Sequence, residues 1–438
     1  MATGPWAAHA VRLAPRLRSA QQALAPAVWG IADQTLSAAA NFVINIVLIH
    51  WLGPEEYGAF AVSMAWLLLL AGLHNALLME PMLVFGSARY RDAEVGYLGS
   101  IVRGHWAVSA ALGSTLALVG AGALQVGSPA LSDAFLGVGI ATPGILLLML
   151  ARRVHYLKGT PRPAALGGVL YLAVLLGGVS ALDWFGRLSP FTAYLLMGGA
   201  SLAIGGELLR RQGVAFRRGL DRLPVGGIAR DHWRYGRWVI ASTIASWIPG
   251  NLYFLVLPIT DGLEAAGILA GLMLFLRPVM TVVQPLAMLM VPRLVRRSGT
   301  PTVRRELILA VTVFAVCSLV YWGGLAVWHE PLTALVLGQG YQAQSHLLTV
   351  LATTAPLLAV AAVLASGLRA EMRPDLEFKA HLFSAVAAVA VGLPLVLTLK
   401  LTGAAIGLPV SMVALVAAMG FLLFRRVPNM SLAKGSGS

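Results

Sequence analysis

Apolar stretches of about twenty residues recur along nearly the whole chain, with short arginine-rich connections between them. Ala59 to Leu73 and Ala380 to Leu399 are two examples. Such a stretch, wound as a helix, matches the roughly 30 Å hydrocarbon core of a bilayer. In lipid every backbone polar group must be satisfied internally, and a run of this length does so as an α-helix. Only 11% of the 438 residues are charged, against about 25% in an average soluble domain. That is too few to cover a water-facing surface. The sequence therefore predicts an all-α integral membrane protein with about twelve transmembrane helices. These fall near residues 28–50, 57–83, 102–124, 132–151, 164–183, 190–209, 237–258, 264–291, 306–328, 346–368, 379–399 and 403–424.

The net charge of +14 would suit nucleic acid if it lay on one face or tail. It does not, so no nucleic-acid partner is expected. Of the 32 Lys and Arg residues, all but Arg187, Lys400 and Arg277 fall in the N-terminal arm, the C-terminal tail or the even-to-odd connections. This alternation places both termini and those connections on the cytoplasmic side. The longest charged segment, Arg210 to Arg237, separates six helices from six. It divides the chain into lobes at 1–219 and 220–438.

Several chemistries find no support. The single cysteine, Cys317, lies in an apolar block and reads as a small buried hydrophobe. No metal-ligand spacing, phosphate-binding loop or nucleophile elbow occurs, so neither a cofactor nor an enzymatic reaction is expected. The arm holding Arg12, Arg16 and Arg18 reads as an uncleaved cytoplasmic segment, and Lys434 to Ser438 as a tail outside the fold.

The two halves share a pattern. Gly53-Pro-Glu55-Glu-Tyr-Gly58 follows helix one, and Gly262-Leu-Glu264-Ala-Ala-Gly267 follows helix seven. Both read G-x-E-x-x-G at a turn leading into the next helix. At the same offset Asp33 maps to Ser242 and Ser37 to Ser246. With six helices in each half the repeats share one orientation, related by an axis along the membrane normal.

Polar residues inside apolar helices are candidates for function, because lipid-facing ones cost free energy. Asp33, Ser37, Asn41 and Asn45 lie four residues apart on one face of helix one. They either bond neighbouring helices or wall a cavity. Asp33 reads as an ion-coupling carboxylate or as an interfacial partner of Arg16 or Arg18. Glu80, followed by Pro81, reads as a second coupling site or as an ion-pair partner of Arg89 or Arg103. Arg277 is the one basic residue within a helix core; its planar fork suits a phosphate in a wet cavity, or it pairs with a buried acid. In helix seven, Pro249-Gly250 predicts a kink or broken hydrogen bonds. Trp247, Asn251 and Tyr253 beside it are candidates for the substrate cavity, with packing as the alternative for the rings. Ile228 to Trp238, basic and aromatic, fits an interfacial helix on anionic lipid.

The stretch Ala32 to Gly58, with Asn41, Asn45 and Trp51-Leu-Gly-Pro-Glu-Glu-Tyr57-Gly, resembles the opening of bacterial oligosaccharide flippases of the polysaccharide exporter type. His232-Trp-Arg-Tyr-Gly-Arg-Trp238 and Pro285 to Pro292 resemble the start of that family's second half. These flippases share a superfamily with the MATE drug exporters. The resemblance implies two six-helix lobes around a cavity open alternately to each side. It implies an isoprenoid pyrophosphate-linked oligosaccharide as cargo, an ion gradient as drive, and a place in the inner membrane beside a polysaccharide polymerase or glycosyltransferases. The two extra C-terminal helices of lipid II flippases have no counterpart here. A cation-coupled multidrug antiporter and a non-transporting scaffold are the alternatives.

Overall fold

The computed structural model describes residues 29–30, 33, 35–36, 38–214, 225–297, 301–371 and 373–425. Among these there are helices and no strands. The first half runs α1 (Ala38–Trp51, with the described residues 29–30, 33 and 35–36 ahead of it also helical), α2 (Pro54–Ser87), α3 (Glu94–Gln125), α4 (Pro129–Leu157), α5 (Pro161–Trp184) and α6 (Pro190–Arg211). The second half runs α7 (Val225–Thr260), α8 in two pieces (α8a, Gly262–Leu274; α8b, Arg277–Arg296), α9 (Pro301–Val327) and α10 (Leu347–Ala370). It ends in α11 (374–399) and α12 (401–424), which form one continuous helical run except at Lys400, whose φ of 54° and ψ of −128° reverse the chain. The hairpin closes by Ser384 Oγ donating to the Ser411 carbonyl at 2.7 Å. Ten of the described helical runs are long and apolar enough to cross a membrane, and the reversal at Lys400 splits the longest in two. The result is a polytopic membrane fold.

Burial follows the solvent expected of such a fold. α9 is largely exposed along an apolar surface, with Leu309 at 62% and Val320 at 72%. Cys317 lies on this face and is exposed, which corrects the expectation of a buried thiol. Lipid, unlike water, does not drive apolar side chains into protein contacts.

The core has a telling shape. At the charge-poor end one continuous cluster draws on both halves, including Leu48, Phe60, Tyr194, Leu257, Leu269 and Leu351. At the arginine-rich end the core divides. One cluster holds Met82, Tyr97, Leu150 and Leu208 of the first half, with Ile228 of α7. The other holds Leu294, Leu364, Leu376 and Met419 of the second. The halves share one core at the first end; at the other their cores are parted, with the start of α7 packed on the first half. The first described turn of α1 and the last of α12 both lie at the parted end: Asp33 meets Arg152 of α4, and Arg304 stacks over Phe424.

α7 is helical throughout 225–260 with Pro249 inside it, so the chain does not leave helical geometry there, although Pro249 has no N–H to give the Ala245 carbonyl. The break lies in α8, at Phe275-Leu276. Pro278 removes the N–H that would bond the Leu274 carbonyl, and the residue before a proline resists α geometry. The chain answers with tighter bonds, Phe275 N to Leu272 O (3.3 Å) and Leu276 N to Met273 O (3.0 Å). Tyr321 of α9 caps the Phe275 carbonyl at 2.7 Å. Likewise, residues 228–238 are no separate interfacial helix but the first turns of α7, with Trp233 and Trp238 exposed.

Candidate functional site

The parting between the halves is polar on one side. A cavity of about 360 Å³ lies between α1 and α8b, lined by Thr35 and Asn41 on one helix and Arg277, Thr281 and Gln284 on the other. The break in α8 puts Arg277 at the start of a new helix, exposed to this space. Thr281 and Gln284 follow at helical spacing on the same face. None of the ion pairs among the described residues includes Arg277. An arginine with no acid beside it, in a pocket of amides and hydroxyls, offers a fork of N–H donors to an anion.

From Asn41 a hydrogen-bonded line leads into the protein. Asn45 Nδ2 donates to the Asn41 carbonyl at 2.7 Å, and the Tyr57 hydroxyl donates to Asn45 Oδ1 at 3.2 Å. Tyr57 is buried at the sealed end, within electrostatic reach of Arg277. The sequence reading passed over Tyr57, Thr281 and Gln284. The i, i+4, i+7 spacing of Arg277, Thr281 and Gln284 was the available signal.

The other named residues lie elsewhere. Trp247 packs on α2, its Nε1 donating to the Ala65 carbonyl at 3.0 Å and its ring tilted against Trp66. Asn251 bonds back to the Trp247 carbonyl at 3.0 Å. Tyr253 is fully buried against Gly392 and Gly407, where only glycine leaves room for its ring. In this conformation these three do not gather around Arg277. Asp33 is not open to a cavity either. Its side chain is 0% exposed, paired with Arg152 at 2.7 Å and accepting from the Tyr156 hydroxyl. Arg16, Arg18 and Ser37 lie outside the described residues.

Glu80 is half-buried at the end of a π-helical turn, Asn75–Met79, with Asn75 Nδ2 donating to it at 3.4 Å. Its expected partners are engaged elsewhere: Arg89 pairs with Asp231 at 2.8 Å, and Arg103 bonds Ser100 at 3.0 Å. Burial and the Asp231 carboxylate hold the Tyr90 hydroxyl above its ordinary pKa, so it donates to Asp231 at 2.9 Å. This cluster borders a second opening of about 870 Å³, between α2, α7 and α11, walled by Phe85, Arg234, Tyr235, Trp238 and Phe378.

No family model and no curated protein matches the sequence. Solved structures match its fold along nearly all its length. An inward-facing multidrug resistance MATE family transporter of the MOP superfamily superimposes with TM-score 0.70 at 15% identity, over 94% of this chain and 96% of its own. The lipid II flippase MurJ, in an inward closed conformation, gives 0.73 at 11% identity, over 92% and 90%. The MATE multidrug transporter DinF-BH gives 0.67 at 15%, over 92% and 95%. At these identities the likeness defines the fold: this chain is built as the MATE and MurJ transporters are.

Proposed function

We propose that this protein is a flippase that carries a lipid pyrophosphate-linked oligosaccharide from the cytoplasmic to the outer leaflet of the inner membrane, by alternating access of lobes 1–219 and 220–438. The arginine-rich, parted end is the cytoplasmic one. The observation that carries the reading is Arg277, unpaired by any described acid in a polar cavity between the halves. A pyrophosphate matches it in charge and geometry. Sugars are held by amides and hydroxyls such as Asn41 and Gln284, while the isoprenoid tail stays in lipid beside an opening between the lobes. Surface or exopolysaccharide assembly is the process served, with a polymerase or glycosyltransferases as neighbours.

The test is transport in proteoliposomes loaded with an undecaprenyl pyrophosphate-linked glycan, read by accessibility of the sugar on each leaflet. Arg277→Ala is expected to lower the flipping rate at least about tenfold, matching the loss of a charge-assisted hydrogen bond. Arg277→Lys keeps the charge but not the fork, and retains part of the rate. Equal rates for wild type and Arg277→Ala would refute the reading. The multidrug antiporter is the second reading, favoured only by the fold; a cavity whose charged residue is an arginine suits organic cations poorly. It predicts dye efflux with no change in glycan accessibility.

A further inference from the structure

His74 of α2 and His105 of α3 meet in the interior of the first half. Both are 0% exposed. His74 Nε2 and His105 Nδ1 are 3.0 Å apart, and the rings stand nearly perpendicular, at 88°. Two further buried polar groups adjoin them on α3, the Trp106 indole N–H and the Ser109 hydroxyl, each without a hydrogen-bond partner among the described residues. Ionisable side chains at this depth are costly to keep, and an apolar pair of similar volume packs as well. Packing alone does not account for two imidazoles here.

The two facing nitrogens share one hydrogen, so only one of the two outer nitrogens, His74 Nδ1 or His105 Nε2, is left with a lone pair in the neutral pair. Neither outer nitrogen has a hydrogen-bond partner among the described residues.

The pair abuts a structural joint. The π-helical turn Asn75–Met79 begins at the next residue, and Glu80 N–H closes it on the Asn75 carbonyl. Such turns are uncommon and collect at functional sites. Within it, the Leu77 carbonyl takes a hydrogen bond from His232 Nδ1 of α7 at 2.8 Å, and His232 Nε2 meets the Tyr97 hydroxyl at 2.7 Å. One face of the turn touches the histidine pair, and another is held by the first helix of the second half. Relaxing the turn to α geometry rotates the downstream segment by about 100°, which moves Glu80 and breaks the grip of α7.

We propose that His74 and His105 form a proton-binding site that, through the adjoining π-turn, couples protonation to the relative motion of the two halves. A proton from water adds to the outer nitrogen that carries the lone pair, forming an N–H bond there and turning that imidazole into an imidazolium. The titratable and charged groups on the surrounding elements are Glu80 on α2, Tyr97 and Arg103 on α3, and Asp231, His232 and Tyr235 on α7; α4 carries none between Asp133 and Arg152. The proposal rests on the transporter reading and names the proton as its coupling ion.

The experiment needs no cargo, so its failure is separable from failure of the flippase assignment. Spin labels at positions 162 and 304, on opposite halves at the arginine-rich end, report the opening in the full chain reconstituted in lipid. In otherwise wild-type protein the ratio of short- to long-distance populations is expected to change about tenfold or more between pH 5 and 8. His74→Gln and His105→Gln, each monodisperse and matching the wild-type distance at pH 8, are expected to lose that response. Retention of the full response in either variant overturns the proposal. So does an unchanging distribution in the unsubstituted protein, which requires no variant to fold.

Discussion

Gly58 and Gly267, the closing residues of the two G-x-E-x-x-G turns, lie against each other where α2 crosses α8a at the sealed end. A Cβ on Gly58 would overlap the Leu263 carbonyl, and one on Gly267 would stand 2.5 Å from the Pro54 carbonyl oxygen. The repeated motif is thus one place where the halves touch, and glycine is required there because backbone meets backbone. Gly58→Ala and Gly267→Ala are each expected to lower stability by about 1–3 kcal/mol, seen as a lower Tm in detergent. Gly53→Ala, with nothing within 4 Å of its added carbon, serves as the tolerated control.

Asp33 and Arg152 join α1 to α4 by a nearly buried ion pair, with side chains 0% and 19% exposed. Removing one partner strands the other's charge, at about 3–5 kcal/mol for a buried pair. Arg152→Ala is therefore expected to destabilise strongly. Asp33→Asn costs less, since an amide still accepts from Tyr156. A double-mutant cycle on thermal unfolding should show coupling above about 1 kcal/mol; additive effects would mean that the pair contributes nothing.

The membrane class was legible because lipid demands long apolar helices and leaves the arginines in the connections. The repeat was legible as a pattern; its reason, close helix approach, needed coordinates. The site was harder. Arg277 stood out as a lone charge, but whether a half-buried side chain faces lipid, a neighbour or a cavity depends on packing, and hydropathy does not encode that. Trp247 and Tyr253 were candidates for the cavity with packing as the alternative, and in this structure they lie against Trp66 and against Gly392 and Gly407. His105 was overlooked because a lone histidine gains meaning only when His74 is beside it.

Lys400 turns the chain between α11 and α12 with φ at 54°, the one positive φ of a non-glycine residue among those described. Asp261, at the α7–α8 turn, holds it in place, taking the Lys400 ammonium at 3.3 Å and the Leu401 N–H at 3.3 Å. Lys400→Gly trades backbone strain against a half-exposed ion pair worth little. It is expected to be neutral or to stabilise by up to about 1 kcal/mol. Asp261→Ala removes the hydrogen bond and is expected to destabilise by about 1 kcal/mol. Urea midpoints of the two variants should move in opposite directions, or only the second should move.

The asymmetry of the core makes the last prediction. Where the halves share one cluster, at the charge-poor end, the packing should exclude water; where the core divides, water should enter. A cysteine at Gln284, on the cavity wall and exposed, should react with a charged, membrane-impermeant maleimide in a Cys317→Ser background. The reaction should come from the side that bears Arg89 and Arg297. A cysteine at Ala266, 0% exposed within the shared cluster, should stay unlabelled from both sides. Intact right-side-out and inverted vesicles separate the two faces. Equal labelling of Gln284→Cys from both would mean that the shared cluster is no seal, and labelling only from the periplasmic face would reverse the orientation read from the arginines.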